Sequence, residues 1–204
     1  MVRINLRKAA YLQRKLSSLV KTYDEFNQPI RYIAGVDVAY RKGKAIGVAA
    51  LLDYKDLNLI EYGIYITESR VPYIPTYLAF REIPPMVGAI KRLSIEPDIT
   101  LVDSHGLIHP RGLGAASHLG VVLNIPTIGV AKSPLVGKPN EDGYIILNGR
   151  KVGYKVSDRL YISIGHRVSL NSAIKIVLHV LRNVVPEPTR LAHNKATEIK
   201  YNIK

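Results

Sequence analysis

Cysteine and tryptophan are absent from this sequence of 204 residues, and methionine occurs only twice. Without cysteine the chain has neither disulfides nor a metal site built on thiolates. It also lacks an unbroken apolar run that could span a membrane, and its first residues lack the apolar block of a secretory signal. We therefore expect a cytoplasmic protein without membrane contact. The scarcity of these residues and of glutamine, beside many Ile, Val and Tyr, favours a thermophilic source.

Acidic residues are scarce as well. The chain has 16 Asp and Glu against 29 Lys and Arg, a formal net charge of +13 at pH 7. Such an excess predicts a polyanionic partner, because neutralising phosphates releases their condensed counterions. The positive charge is scattered along the chain, which disfavours a basic amphipathic membrane binder. Composition alone leaves a generally basic protein without a polyanionic partner as an equal alternative.

The pattern of hydrophobic residues predicts one domain over residues 1–204, since no repeat, low-complexity tract or linker divides the chain. Helical spacing is found over residues 4–20, 86–93, 113–123 and 170–183. Pro186 should end the fourth helix, and Thr189 should cap a fifth. The fourth helix should turn five residues to the core: Leu170, Ile174, Val177, Leu178 and Leu181.

Apolar runs between turn-forming residues predict the strands, over residues 32–40, 45–54, 57–67, 99–103, 126–131, 143–147, 151–156 and 160–164. The first three are joined by short turns and should form an antiparallel meander. Helices and strands alternate after the meander. This order predicts an α/β fold with a mixed central sheet, the meander being followed by parallel strands, and helices on its faces.

Two aspartates are placed where a charge is unexpected. Asp37 interrupts an otherwise apolar strand, and Asp103 follows the apolar residues 99–102 at the carboxyl end of another. A carboxylate inside a sheet is unfavourable unless it pairs with a cation or binds a metal. If the two strands are parallel neighbours, both carboxylates can converge on one hard cation such as Mg²⁺. For each aspartate alone, a salt bridge or a strand-end cap explains it equally well.

The loop behind Asp103, residues 104–112, carries two histidines, two glycines, a proline and an arginine. Glycines permit close backbone contact, so a loop of this kind can bind a flat ligand. The spacing of His105 and His109 alone does not predict zinc, because a zinc site needs three or four ligands in a defined geometry.

A second unusual loop precedes Glu82. Pro72 and Pro75 restrict the backbone around Tyr73 and Ile74. A stiff loop that presents an aromatic ring is suited to insertion between stacked bases. A surface turn packed on the core is the ordinary alternative for any loop of proline and aromatic residues.

Five segments of the chain resemble, in this order and spacing, those of the endonuclease V family: IAGVDVAY, PYIPTYLAFRE, LVDSHGLIHPRGLGAASHLG, IPTIGVAKS and GHRVSL. They extend from residue 33 to about 170, and residues 189–193 also match. The resemblance implies a ribonuclease-H-like fold and a divalent metal, usually Mg²⁺ with Mn²⁺ able to replace it. It further implies recognition of deoxyinosine in double- or single-stranded DNA and hydrolysis of the second phosphodiester bond 3′ to it, which leaves 3′-hydroxyl and 5′-phosphate ends. No obligate protein partner is implied.

The resemblance also implies roles for the residues that carry the chemistry. Asp37 and Asp103 look like the metal-binding carboxylates. Glu82 matches a third acidic residue that orients the attacking water or a second metal. Lys132 resembles the active-site lysine that faces phosphate, and His193 matches a C-terminal position that completes the active site.

The residues expected to contact the substrate come from the two loops. Tyr73 matches a tyrosine wedge, flanked here by Pro72, Ile74 and Pro75. The pocket for a base flipped out of the helix resembles one formed by Gly106, His109 and their neighbours. Ser104 departs from the family pattern, where we expect glycine in many relatives, so its side chain either narrows the pocket or forms part of the wall.

Two alternatives remain at this point. A related nuclease with the same fold would cleave RNA at inosine, since contacts to the sugar decide between RNA and DNA. A nucleic-acid-binding module with an inactive site belongs to a different class. The intact set of Asp37, Glu82, Asp103 and Lys132 disfavours it, because a protein that only binds phosphate gains nothing from clustered carboxylates beneath it.

Overall fold

Three long strands form the antiparallel meander that the sequence predicts. In the computed structural model, which describes residues 4–203, they are β1 (Tyr32–Arg41), β2 (Lys44–Asp53) and β3 (Leu59–Glu68). Each pairs with the next in antiparallel register. The ends of the predicted 1–204 domain, residues 1–3 and 204, lie outside the described residues.

Five further strands extend this meander into one sheet of eight: β4 (Ile99–Asp103), β5 (Thr127–Ala131), β6 (Tyr144–Leu147), β7 (Arg150–Ser157) and β8 (Leu160–His166). The strand order is β3-β2-β1-β4-β5-β8-β7-β6. Strands β1, β4 and β5 run parallel, and all other neighbours are antiparallel. This is the predicted ribonuclease-H-like mixed sheet, and the predicted parallel contact between the strands of Asp37 and Asp103 is confirmed.

Helices cover both faces of the sheet: α1 (Leu6–Ser17), α2 (Ala79–Ile90), α3 (Ala115–Leu123), α4 (Leu170–His179) and α5 (Glu187–Asn202). Helices α2 and α3 bury one apolar cluster, and α1 packs against α3. Helices α4 and α5 bury the larger cluster on the opposite face. Among residues 4–203, no helix combines the length and the apolar character needed to cross a membrane.

Two glycines in the sheet allow helices to contact the strands closely. At Gly35 of β1, a Cβ atom would overlap the backbone of Pro188 in α5. At Gly47 of β2, it would overlap the backbone of Pro85 in α2. Since neither position leaves room for a side chain, the two helix axes lie near the sheet, and residues on α2 and α5 can reach the strand ends.

Helix α2 corrects the sequence-based assignment. We expected a helix only over 86–93, but the helix begins at Ala79 and includes both Pro84 and Pro85. A proline inside a helix is unfavourable by about 3 kcal/mol or more, since it removes a hydrogen bond. Burial of Ile83, Met86 and their neighbours against the sheet offsets that loss.

The C-terminal helices differ from the prediction in two respects. Helix α4 ends at His179 instead of residue 183, because the chain reverses in a short hairpin, β9 (Leu181–Arg182) and β10 (Val185–Pro186). Leu178, which we expected in the core, lies within α4 and is exposed. Helix α5 begins at Glu187, so Thr189 is not its cap; the Thr189 hydroxyl lies in the first turn and donates to the Pro186 carbonyl at 3.0 Å.

Candidate active site

Three elements bring Asp37, Asp103 and His193 together. Side chains of a strand alternate between faces, so Asp37 shares the α5 face with Ile33 and Gly35, and Asp103 shares it with Ile99 and Leu101. Among residues 4–203, these three side chains form a group of possible metal ligands whose donor atoms lie within 4.8 Å of one another. The predicted pair of converging aspartates is therefore present, with a histidine from α5 beside it.

Hydrogen bonds and charges connect the members of this group. His193 Nδ1 lies 2.8 Å from Asp37 Oδ2, and the Val38 amide donates to Asp37 Oδ1 at 2.7 Å. The hydrogen bond to Asp37 raises the pKa of His193. Burial raises the pKa of Asp103, the charge of Asp37 adds to this, and Lys132 and His193 act against it. Two carboxylates that repel each other so closely are the arrangement that a bound cation stabilises.

Glu82 lies in the first turn of α2 and approaches the same strand ends from the other face of the sheet. Burial, followed by the charges of Asp37 and Asp103, raises the pKa of Glu82 to about 8. Its buried Oε2 atom has no hydrogen-bond partner within residues 4–203. The carboxyl is therefore mostly protonated at pH 7 when no cation is near. A bound cation would give its buried Oε2 atom the partner that it lacks. A hard divalent ion thus fits the residues present.

Lys132 directly follows β5 and continues the face of Ile128 and Val130, the α5 face. It is exposed, and its charge acts on both Asp103 and His193. All three residues line a groove of about 520 Å³ on that face. The ammonium group of Lys132 can therefore contact one oxygen of a ligand's phosphate while the remaining phosphate oxygens face the carboxylates.

A second cavity of about 230 Å³ lies on the opposite face, among residues that follow Asp103 and residues around the start of α2. Of the residues predicted to bind substrate, Tyr73, Pro75, Ser104 and His109 line it. Tyr73 is 64% exposed. Ser104 is thus one of the residues around this cavity.

Other predicted substrate residues lie apart from this cavity. Gly106 is buried, its amide donates to Ser163 Oγ at 2.7 Å, and its carbonyl accepts from the Gly114 amide at 2.8 Å. Both backbone groups are thus engaged inside the protein. Pro72 lines a different surface groove, with the basic turn between β1 and β2. Ile74 lines neither.

The loop that carries Tyr73, residues 72–76, is joined to the second cavity through Thr76, which has φ +66°, an unfavourable angle for a β-branched residue. Three side chains contact its carbonyl oxygen: Gln13 Nε2 at 3.0 Å, His109 Nε2 at 2.9 Å and an Arg111 guanidinium nitrogen at 2.7 Å. The same guanidinium donates to the Thr76 hydroxyl at 2.6 Å. These contacts fix the end of the loop that presents Tyr73.

Two of the histidines expected near the substrate are neutral in this environment. His109 Nδ1 accepts from the Arg111 amide at 3.2 Å, so Nε2 carries the proton that is donated to Thr76. Burial lowers the pKa of both His105 and His109 to about 4. His105, which sequence analysis placed in the same loop without assigning it a contact of its own, also lines the second cavity.

Sequence analysis missed the contribution of Gln13. It is fully buried on α1, while Leu12 on the same helix is exposed. Its amide connects Thr76 with Arg111, whose Nε donates to Gln13 Oε1 at 2.6 Å. No local signal marks such a residue, because its partners lie 63 and 98 positions away in the chain.

Sequence comparison matches this chain to one protein family. A sequence profile of the endonuclease V family matches residues 14–194. The endonuclease V of Nostoc punctiforme is 42% identical over 207 aligned residues, which cover 94% of each chain. That of Thermofilum pendens is 41% identical, over 95% of this chain and 88% of its own.

Solved structures agree with these matches. The crystal structure of Streptomyces avermitilis endonuclease V superposes with a TM-score of 0.89 at 30% identity, covering 98% of this chain and 95% of that one. Ciona intestinalis endonuclease V was crystallised with a 24mer DNA containing an inosine followed by a ribo-adenosine. It superposes with a TM-score of 0.88 at 29% identity and covers 98% of this chain and 99% of its own.

Proposed function

The chain belongs to the endonuclease V family, and we propose that it is a metal-dependent DNA repair endonuclease that acts at deoxyinosine, the product of adenine deamination. It would hydrolyse the second phosphodiester bond 3′ to the lesion and leave 3′-hydroxyl and 5′-phosphate ends. The observation that carries this proposal is the grouping of Asp37, Asp103 and His193 within 4.8 Å, with Glu82 and Lys132 around it. The cytoplasm is its proposed location.

Asp37 and Asp103 would hold the metal, which we propose to be Mg²⁺ with Mn²⁺ able to replace it, because hard cations prefer carboxylate oxygens. The ion would polarise the scissile phosphate and lower the pKa of water. His193 would hold and orient the Asp37 carboxylate, to which it is hydrogen-bonded. This contact also leaves His193 Nε2 available to the substrate.

The remaining two site residues would act on the phosphate and on the attacking water. Lys132 is exposed beside Asp103 and would neutralise charge on the phosphate oxygens. Glu82 has a raised pKa in the free protein and would lose its proton when positive charge arrives. Its carboxylate would then orient water for attack in line with the leaving 3′ oxygen.

The cavity behind Asp103 supports recognition of a base outside the double helix. Its volume of about 230 Å³ and its lining by Ser104, His105 and His109 suit a flat polar base. Both histidines are neutral and so do not favour an anionic ligand. The ring nitrogens of His109 are engaged by Thr76 and Arg111, so His109 shapes the wall, and the ring of His105 would read a donor or acceptor of the base. An inosine in a mismatch is easier to flip out than a normally paired base, which contributes to selectivity.

A nicking assay tests the proposal directly. Duplexes identical except for one deoxyinosine are incubated with the protein, with Mg²⁺ and with a chelator. We expect nicking of the inosine strand only, only with metal, at the second phosphodiester bond 3′ to the lesion. Single-stranded DNA and RNA of the same sequence, run in parallel, identify the preferred nucleic acid. Equal cutting of both duplexes, or cutting in the presence of chelator, would contradict the proposal.

Salt dependence tests the meaning of the net charge of +13. If the basic residues contact phosphates, the affinity for undamaged duplex should fall steeply with salt, with a log–log slope of several units, about 0.9 for each phosphate neutralised. Fluorescence anisotropy over a series of NaCl concentrations measures this slope. A flat response would mean that the basic residues form a solvated surface without phosphate contacts.

A further inference from the structure

The groove on the α5 face, which contains Asp103, Lys132 and His193 at one end, extends well beyond the metal-binding group. Its far wall consists of the turn between β7 and β8, residues 157–160, and the β9–β10 hairpin, residues 184–186. At about 520 Å³ it is more than twice the volume of the cavity behind Asp103 and lies within the usual range for ligand pockets, roughly 300–1,000 Å³. The proposed reaction at the metal needs only its near end.

The polar part of the far wall is positively charged. Arg159 is exposed in the β7–β8 turn and, within residues 4–203, forms no ion pair. The neighbouring Asp158 is paired with Lys155 at 2.7 Å. Arg190 is paired with Glu187. Arg159 therefore remains as a charge that a phosphate could neutralise.

The apolar part of the far wall is exposed to an unusual degree. Val184 at the tip of the hairpin is 65% exposed, and Val185 is 39% exposed. Leu160 and Pro186 line the same groove and are buried. An apolar surface next to a cation is complementary to a nucleotide, because the faces of the base and sugar are apolar and the phosphate is negatively charged.

The position of the groove indicates which nucleotides it would take. The cavity proposed for the base lies on the face of α2 and α3, the groove lies on the face of α5, and the carboxyl ends of β1 and β4 separate them. Two consecutive residues show how close the groove and the cavity are, since Asp103 lines the groove and Ser104 lines the cavity. A strand with its base in the cavity must pass the metal-binding group before it enters the groove.

We propose that the far end of this groove is a binding subsite for the first nucleotides on the 3′ side of the cut. The assignment rests on the proposed function, because cleavage 3′ to the lesion makes the strand beyond the metal the downstream one. Arg159 binds a downstream phosphate, and Val184 and Val185 contact a downstream sugar or base. The subsite would hold the 5′-phosphate product in line with the metal-binding group.

Binding of truncated oligonucleotides tests this subsite. Inosine-containing single strands are made that end at the scissile phosphate or extend one, two or four nucleotides beyond it, and a second series is extended on the 5′ side. Affinities are measured by fluorescence anisotropy with chelator, so that no strand is cut. The wild type is compared with Arg159→Ala/Val184→Ser. The control is Arg150→Ala, which removes the same charge from an exposed position at the opposite end of β7.

For the wild type and for Arg150→Ala, we expect the 3′ extension to raise affinity about ten-fold, the scale of one hydrogen bond to a charged group. For Arg159→Ala/Val184→Ser this gain should disappear, while the gain from the 5′ extension is kept. An equal 3′ gain in all three proteins, or no 3′ gain in the wild type, would overturn the subsite. Nicking of the longest strand by the wild type with Mg²⁺ is measured in parallel, and its absence would count against the proposed function instead.

Discussion

Replacing Asp103 by asparagine is expected to reduce nicking of inosine-containing duplex by more than about 100-fold, since even residues that only support metal ligands cost 10- to 100-fold when removed. Asparagine keeps the size of the side chain but removes the charge that would hold the cation. The same loss is expected for Asp37→Asn, which also replaces the carboxylate that is hydrogen-bonded to His193. Single-turnover nicking with saturating Mg²⁺ measures the effect.

Binding should respond differently from cleavage. Removing a negative charge near the phosphate leaves affinity for inosine DNA intact or increases it. Asp56→Asn is the matched control, because Asp56 is exposed in the turn between β2 and β3, outside the group of possible ligands. It should nick at the wild-type rate. If either Asp37→Asn or Asp103→Asn retains a substantial fraction of wild-type nicking, the assignment of the metal ligands is wrong.

Tyr73→Ala is expected to weaken inosine-specific binding by about ten-fold to a hundred-fold, the equivalent of roughly 1–3 kcal/mol for one aromatic contact with a base. The ring is 64% exposed on a loop that Pro72 and Pro75 restrict and that the contacts to Thr76 hold in place. Such a loop loses little entropy when it inserts the ring into the gap left by a flipped base.

Comparison of two variants separates recognition from catalysis. In Tyr73→Ala the metal-binding group is unchanged, so nicking at saturating enzyme should partly survive. Tyr73→Phe keeps the ring and should have a mild effect. Affinities for inosine and matched duplexes, together with single-turnover nicking, are compared across the three proteins. If the alanine variant discriminates inosine as well as the wild type, Tyr73 is a packing residue and the wedge hypothesis fails.

The helix boundaries show where local patterns mislead. The sequence pattern predicted a helix only over residues 86–93, yet α2 begins at Ala79, and its apolar face packs against β2 at Gly47. The pattern of leucines extended α4 to residue 183, whereas the chain reverses after His179 to form β9 and β10. In both cases tertiary packing outweighed local propensity.

Periodicity and composition were sufficient to predict the meander and the alternation of helices and strands that follows it. They also identified the unexpected positions of Asp37 and Asp103, because these features depend on neighbours within a few residues. The five matching segments were sufficient to predict the family.

The grouping of Asp37, Asp103 and His193 depends on the tertiary structure. Asp37 and His193 are 156 positions apart and meet only because α5 packs against Gly35. The contacts among Gln13, Thr76 and Arg111 and the two cavities on opposite faces of the sheet also form only in the folded protein. Contacts of this kind arise from strand register and helix packing, and no local period in the chain encodes them.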